Sequence, residues 1–121
     1  MGDRANFGFR DRKQDVVFLY GHWAGHNMLQ NLADAVEHAR PRWNDETYAT
    51  RICISRMVGE DWAQETGWGI SVNQLADNEH KVPVIDWSNK TFTLYEEDLE
   101  TVVFSLTIDE FVNKYSRLVM V

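Results

Sequence analysis

Val16-Val17-Phe18-Leu19-Tyr20-Gly21-His22-Trp23 is an unbroken apolar run that stops at glycine and histidine, and its reading decides the fold. A run of this length, rich in β-branched and aromatic residues, predicts a central strand covered on both faces. Immediately upstream, Ala5–Arg10 alternates polar and apolar residues and predicts a partner strand. The charged segment Asp11–Asp15 between them has the length of a hairpin connection.

Downstream of Ala24-Gly25 the apolar period changes from two to between three and four. Met28, Leu29, Leu32, Ala35, Val36 and Ala39 predict an amphipathic helix over 27–40, with Asn27 and Gln30 as a capping pair. Arg40-Pro41 ends it, because the residue before proline is pushed out of helical geometry. Asn44-Asp45 caps a second helix that carries Tyr48, Ala49, Ile52, Cys53 and Met57 on one face and stops at Gly59. Thr50, Ile52, Ile54 and Val58 are β-branched, so a strand over part of 50–58 stays open as an alternative. The segment 62–67 reads as loop, 68–72 as a short strand and 73–81 as a polar loop. Val82–Trp87 and Thr91–Glu96 read as a hairpin across Ser88-Asn89-Lys90, followed by an acidic turn and a strand over 102–106. Thr107 and Glu110 form a capping box that opens a last helix, with Phe111, Tyr115 and Leu118 on one face. The apolar ending Leu118-Val119-Met120-Val121 needs burial at home or against a second copy.

Strands and helices are grouped rather than strictly alternating. The expected fold is therefore one α+β domain over 1–121. It has a mostly antiparallel sheet of five to six strands, with two central helices and one C-terminal helix packed on it. A length of 121 residues, 44% hydrophobic and 26% charged, suits one folded domain with a sizeable core.

Composition narrows the function classes. A net charge of −7 opposes a basic groove for nucleic acid and binding to an anionic membrane surface. No apolar stretch has the length of a membrane span, and the charged Met1-Gly2-Asp3-Arg4 opening is unlike a secretory signal, so a cytoplasmic setting is expected. The single cysteine, Cys53, sits between Ile52 and Ile54 and reads as a small buried hydrophobe rather than a nucleophile.

The densest group of chemistry-bearing residues is Tyr20-Gly21-His22-Trp23-Ala24-Gly25-His26, at the end of the central strand. Strand ends are frequent ligand sites, and glycine lets backbone approach a ligand closely. Histidine as a residue type suits acid–base work near neutral pH, so His22 is a candidate, with Asp3, Asp86 or Glu65 as possible partners. Gly25 separates the two histidines from a shared helix face, which argues against a metal pair, and no cofactor signature is present. Asp77, Glu79 and His80 do not follow a calcium-loop spacing. Arginines suit oxyanions, so Arg4, Arg42 and Arg51 converging on Tyr20, His22 and His26 would define an anion pocket.

The Gly2-Asp3-Arg4-Ala5-Asn6 opening, Leu19-Tyr20-Gly21-His22-Trp23-Ala24-Gly25, Arg42-Trp43-Asn44-Asp45-Glu46 and Thr66-Gly67-Trp68-Gly69-Ile70-Ser71 together resemble a family of small uncharacterised proteins from actinobacteria and their tailed phages. The resemblance implies a phage or prophage setting and assigns no residue a role.

Two functional expectations follow. One is a non-enzymatic protein that binds a macromolecular partner, a protein rather than nucleic acid, through an exposed patch drawn from Trp43, Trp62, Trp68 and Trp87. It allows self-association through the last helix. The other is a small-molecule site, binding or hydrolytic, for an anion or nucleotide at the end of the Val16–Trp23 strand.

Overall fold

The computed structural model describes residues 2–119. Six strands form one sheet: β1 Ala5–Arg10, β2 Val16–Gly21, β3 Trp68–Val72, β4 Val82–Asp86, β5 Thr91–Tyr95 and β6 Val102–Thr107, in the order β3-β2-β1-β4-β5-β6. All neighbours are antiparallel except β1 and β4, which run parallel with Gly8 opposite Val84 and Phe9 opposite Ile85. Three helices accompany the sheet: α1 Met28–His38, α2 Glu46–Val58 and α3 Ile108–Tyr115. The fold is α+β, with a mostly antiparallel sheet, two central helices and one C-terminal helix.

Alternation along the strands sorts the core into two layers. Phe7, Phe9, Leu19, Ile85, Phe92 and Leu94 share a cluster with Leu32, Ala35 and Val36 of α1, Cys53 of α2 and Phe111 of α3. Phe111 stacks on Phe92 at 3.9 Å between ring centroids. Val16, Phe18, Val82 and Val84 form a separate cluster, covered by Leu75, Tyr95 and Leu99. The apolar run in β2 is explained by these two layers, since Leu19 belongs to one and Phe18 to the other.

Several local expectations are corrected. β2 ends at Gly21 rather than Trp23, because Ala24 N–H turns back to the Gly21 carbonyl and lifts Trp23 out to solvent. Asn27 does not cap α1 with its side chain. It takes a left-handed conformation (φ 55°), and its carbonyl accepts the Asn31 N–H; asparagine tolerates that region better than most residues. α1 stops at His38, and Pro41 sits in a 3₁₀ turn, Arg40–Arg42. α2 is helical throughout 46–58, with Asp45 accepting the Tyr48 N–H as its cap. Burial of Ala49 and Cys53 outweighs the modest cost of β-branched residues, which is below about 0.7 kcal/mol each. Gly59, at φ 55°, ends it, as expected, and the 3₁₀ turn Gly59–Ala63 runs into the start of the segment 62–67 read as loop.

The capping box of α3 is present, with Thr107 Oγ1 accepting the Glu110 N–H and the Glu110 carboxylate accepting the Thr107 N–H. The helix ends at Tyr115, so Leu118 does not continue its apolar face and is half exposed. Phe111 and Tyr115 are spent on the chain's own core. Met120 and Val121, part of the apolar ending expected to be covered, lie outside the described residues. Among the described residues, no helix is long and apolar enough to cross a membrane.

Candidate functional site

The end of β2 does gather Tyr20, His22 and Trp23. Tyr20 Oη, on β2, lies 2.8 Å from Nδ1 of His22 in the turn just beyond the strand, and the His22 ring meets Trp23 edge-on at 4.6 Å. The cleft beside them is walled by Thr66, Gly67 and Trp68. His26 lines a neighbouring cavity of about 340 Å³ with Trp23, Asp34, Arg56, Trp68 and Arg117.

The expected arginines do not converge there. Arg4 is held by Glu79, at 3.3 Å from Nε, and by Asp77, at 3.4 Å from Nη1. Its backbone N–H also donates to Glu79, and this bond is the main reason the Glu79 carboxyl sits below its ordinary value. Arg42 and Arg51 line a different groove, whose walls include none of Arg4, Tyr20, His22 or His26.

Of the candidate partners for His22, Asp3 instead contacts His80 Nε2 at 2.5 Å, while its backbone N–H donates to the His22 carbonyl. Asp86 is occupied by Ser88 and Asn89. The polar side chains of 73–81 therefore form a clasp: Asp77, Glu79 and His80 hold the residues leading into β1, and Asn6 Nδ2 donates to the Asp77 carbonyl. Gly25 completes this clasp, because a Cβ there would collide with His80 and Asp3. Among the described residues, no group of three or more His, Cys, Asp or Glu side chains is placed to hold a metal ion.

The tryptophans divide sharply. Trp87 is 1% exposed, stacks on Phe9 and donates its indole N–H to Thr50, which removes it from any surface patch. Trp43 is half-buried, its indole N–H bonded to the Val36 carbonyl. Trp68 is half-buried and donates to Asp61. Trp62 stands 80% exposed, and Trp23 66% exposed. Sequence reasoning missed Trp23 as a surface residue by assigning it to the strand; Ala24-Gly25 directly after it was the available signal.

The exposed apolar surface continues along β3. Gly21 pairs with Trp68, Leu19 with Ile70 and Val17 with Val72, so Trp68, Ile70 and Val72 point to the helix side of the sheet. The helices do not reach this margin, and Ile70 and Val72 are 63% and 57% exposed. Among the described residues β3 pairs with β2 alone, so its outer backbone groups face no strand there.

Cys53 is buried, and desolvation pushes its thiol far up, which disarms it as a nucleophile. Comparison with known proteins matches no family model, no curated protein and no solved structure.

Proposed function

We propose that this protein is a small, non-enzymatic accessory factor that binds a partner protein by accepting one of its extended segments as an added strand on β3. The observation that carries this reading is the bare edge. Sheet edges in natural proteins are usually blunted by lysine, proline, bulges or a covering element. β3 is Trp-Gly-Ile-Ser-Val, without a charge or proline, and its register against β2 is regular. The opposite edge, β6, differs in having a register irregularity at Leu94/Tyr95.

Strand addition takes its affinity from backbone hydrogen bonds and its specificity from alternate side chains. Ile70 and Val72 supply the alternate apolar contacts, and exposed Trp23 and Trp62 supply the large aromatic surface that dominates binding at protein interfaces. The charge of −7 favours a protein partner over nucleic acid. A phage or prophage origin and a cytoplasmic setting belong to the same proposal and rest on the sequence resemblance and composition.

A photocrosslinking amino acid at Val72, in protein exposed to an actinobacterial lysate, tests the reading. A discrete protein adduct is expected, lost on Ile70→Lys and absent when the crosslinker replaces exposed Thr47 of α2 instead. Equal adduct yields at 72 and 47 would refute it. An adduct to a second copy alone would turn the edge into a dimer interface.

A further inference from the structure

Arg4, Arg12, Arg40 and Arg117 each lie within 3.4 Å of a carboxylate. Among the described residues Arg10 in β1 lacks a carboxylate at ion-pair distance, its Nε buried without a hydrogen-bond partner, and it stands apart from the groove that three other arginines line. Arg42, Arg51 and Arg56 likewise have no carboxylate partner among the described residues, and these three line one groove of about 520 Å³ between the Arg40–Arg42 turn and α2. Each is instead set against an uncharged group. The Arg42 guanidinium lies 5.2 Å over the Tyr48 ring, Arg51 Nη1 is 3.4 Å from Ser55 Oγ, and Arg56 Nη1 is 3.4 Å from His38 Nδ1. Arg56 can only donate, so His38 Nδ1 accepts this bond and the ring N–H lies at Nε2, a further donor.

We propose that this groove binds the phosphate or diphosphate group of a small molecule, with Arg42, Arg51 and Arg56 as its clamp and Ser55 and His38 as neutral donors. Three cations gathered without a counter-ion repel one another, and in a chain of net charge −7 their grouping is unlike the rest of the molecule. Guanidinium groups match phosphate oxygens in paired, parallel hydrogen bonds. A single carboxylate would neutralise only part of the cluster, whereas a di- or trianionic phosphate group balances it. The C-terminal end of α1, whose dipole would repel an anion, is hydrogen-bonded inward: the Val36 carbonyl accepts the Ala39 N–H and the Trp43 indole N–H. The volume is in the range of small-molecule sites. A nucleic acid strand would extend beyond three arginines onto an acidic surface, which favours a compact ligand.

Titration calorimetry in phosphate-free, low-salt buffer tests the site, with inorganic phosphate, pyrophosphate and a single-stranded oligonucleotide as probes. Saturable binding is expected, tighter for pyrophosphate than for phosphate and weakened by added salt. Arg42→Gln with Arg51→Gln should weaken it by about tenfold or more, and Arg51→Lys should weaken it several-fold by removing the planar fork. Lys13→Gln, which removes one charge from the β1–β2 turn, should leave it unchanged. The unliganded arginine variants should melt at or above the native temperature, because repulsion is relieved. The proposal is overturned by absence of saturable binding, by equal loss in Lys13→Gln, by a native-like Arg51→Lys, by arginine variants that melt several degrees lower, or by tighter binding of the oligonucleotide. None of these outcomes bears on the β3 edge, which is a separate surface.

Discussion

Replacing Asp34 by Asn tests how the segment after α3 is tied down. Asp34 is nearly buried on α1, where its Oδ1 accepts the Ser116 hydroxyl at 2.8 Å and the Arg117 N–H at 2.7 Å, and its Oδ2 accepts Arg117 Nε at 2.9 Å. Asparagine can keep the two bonds to its oxygen but sets an NH₂ against Arg117 Nε, donor facing donor. A hydrogen bond to a charged group contributes roughly 1.5–3 kcal/mol. Arg117 is half exposed, so solvent screening brings the expected loss to about 2 kcal/mol. In a domain of this size that corresponds to a fall of roughly 6–10 °C in melting temperature.

The pH dependence of this loss carries a definite sign. Burial alone would raise the Asp34 carboxyl, but the bonds from Ser116 and Arg117 outweigh it and hold the group below its ordinary value. A lowered carboxylate contributes stability that is fully present above its unfolded pKa, about 3.9, and that is lost as pH falls through the native value. Urea unfolding of both proteins from pH 7 to pH 2.5 should therefore show a gap of about 2 kcal/mol that holds at and above pH 5 and narrows below pH 4. A gap under about 0.5 kcal/mol at pH 7, or one that persists undiminished in acid, would refute the reasoning.

Further expectations follow from the same geometry. Trp87→Phe removes the indole N–H that buried Trp87 gives to half-buried Thr50 and should cost about 1–3 kcal/mol, whereas Trp62→Phe should be neutral within about 0.5 kcal/mol and remove much of the acrylamide-quenchable fluorescence; the reverse ranking would contradict the placement of the two rings. Thr107→Ala should destabilise by about 1 kcal/mol in urea unfolding through loss of the α3 cap. Cys53 should resist a thiol reagent in the native protein and react fully in denaturant, since burial pushes its thiol up. Gly25→Ala should cost about 1–3 kcal/mol by forcing the Asp3–His80 clasp apart, measured by thermal melting.

The fold was legible wherever local pattern and tertiary packing agree. Alternation in Ala5–Arg10 and the apolar run from Val16 place β1 and β2 in the sheet interior, and the Thr107–Glu110 box marks the start of α3 to the residue. The misses fall where a long-range contact decides. Ser116 leaves the helix to bond Asp34, so the apolar face of α3 stops before Leu118. Trp23 leaves the strand at a turn that the apolar run conceals. Of the arginines expected at the end of β2, Arg42 and Arg51 do share a groove, yet with Arg56 and His38 rather than with Tyr20 and His22. Arg4 was claimed by Asp77 and Glu79, residues more than seventy positions away. Spacing along a chain carries no information about such meetings.

The strand order has a consequence for how the polypeptide can be divided. β3-β2-β1 and β4-β5-β6 are two separate three-strand meanders, and within the sheet they meet only along the parallel seam of β1 and β4. The polar segment 73–81 is the covalent link between them, and its side chains also grip the start of β1. A cut within that link would leave one fragment with the first three strands, α1 and α2, and another with the last three strands and α3. Each would carry a half of the seam and a half of the aromatic core that only the other can cover. The molecule is thus laid out as a natural pair for split-protein complementation, in which reassembly of the two pieces reports that whatever they are fused to has come together.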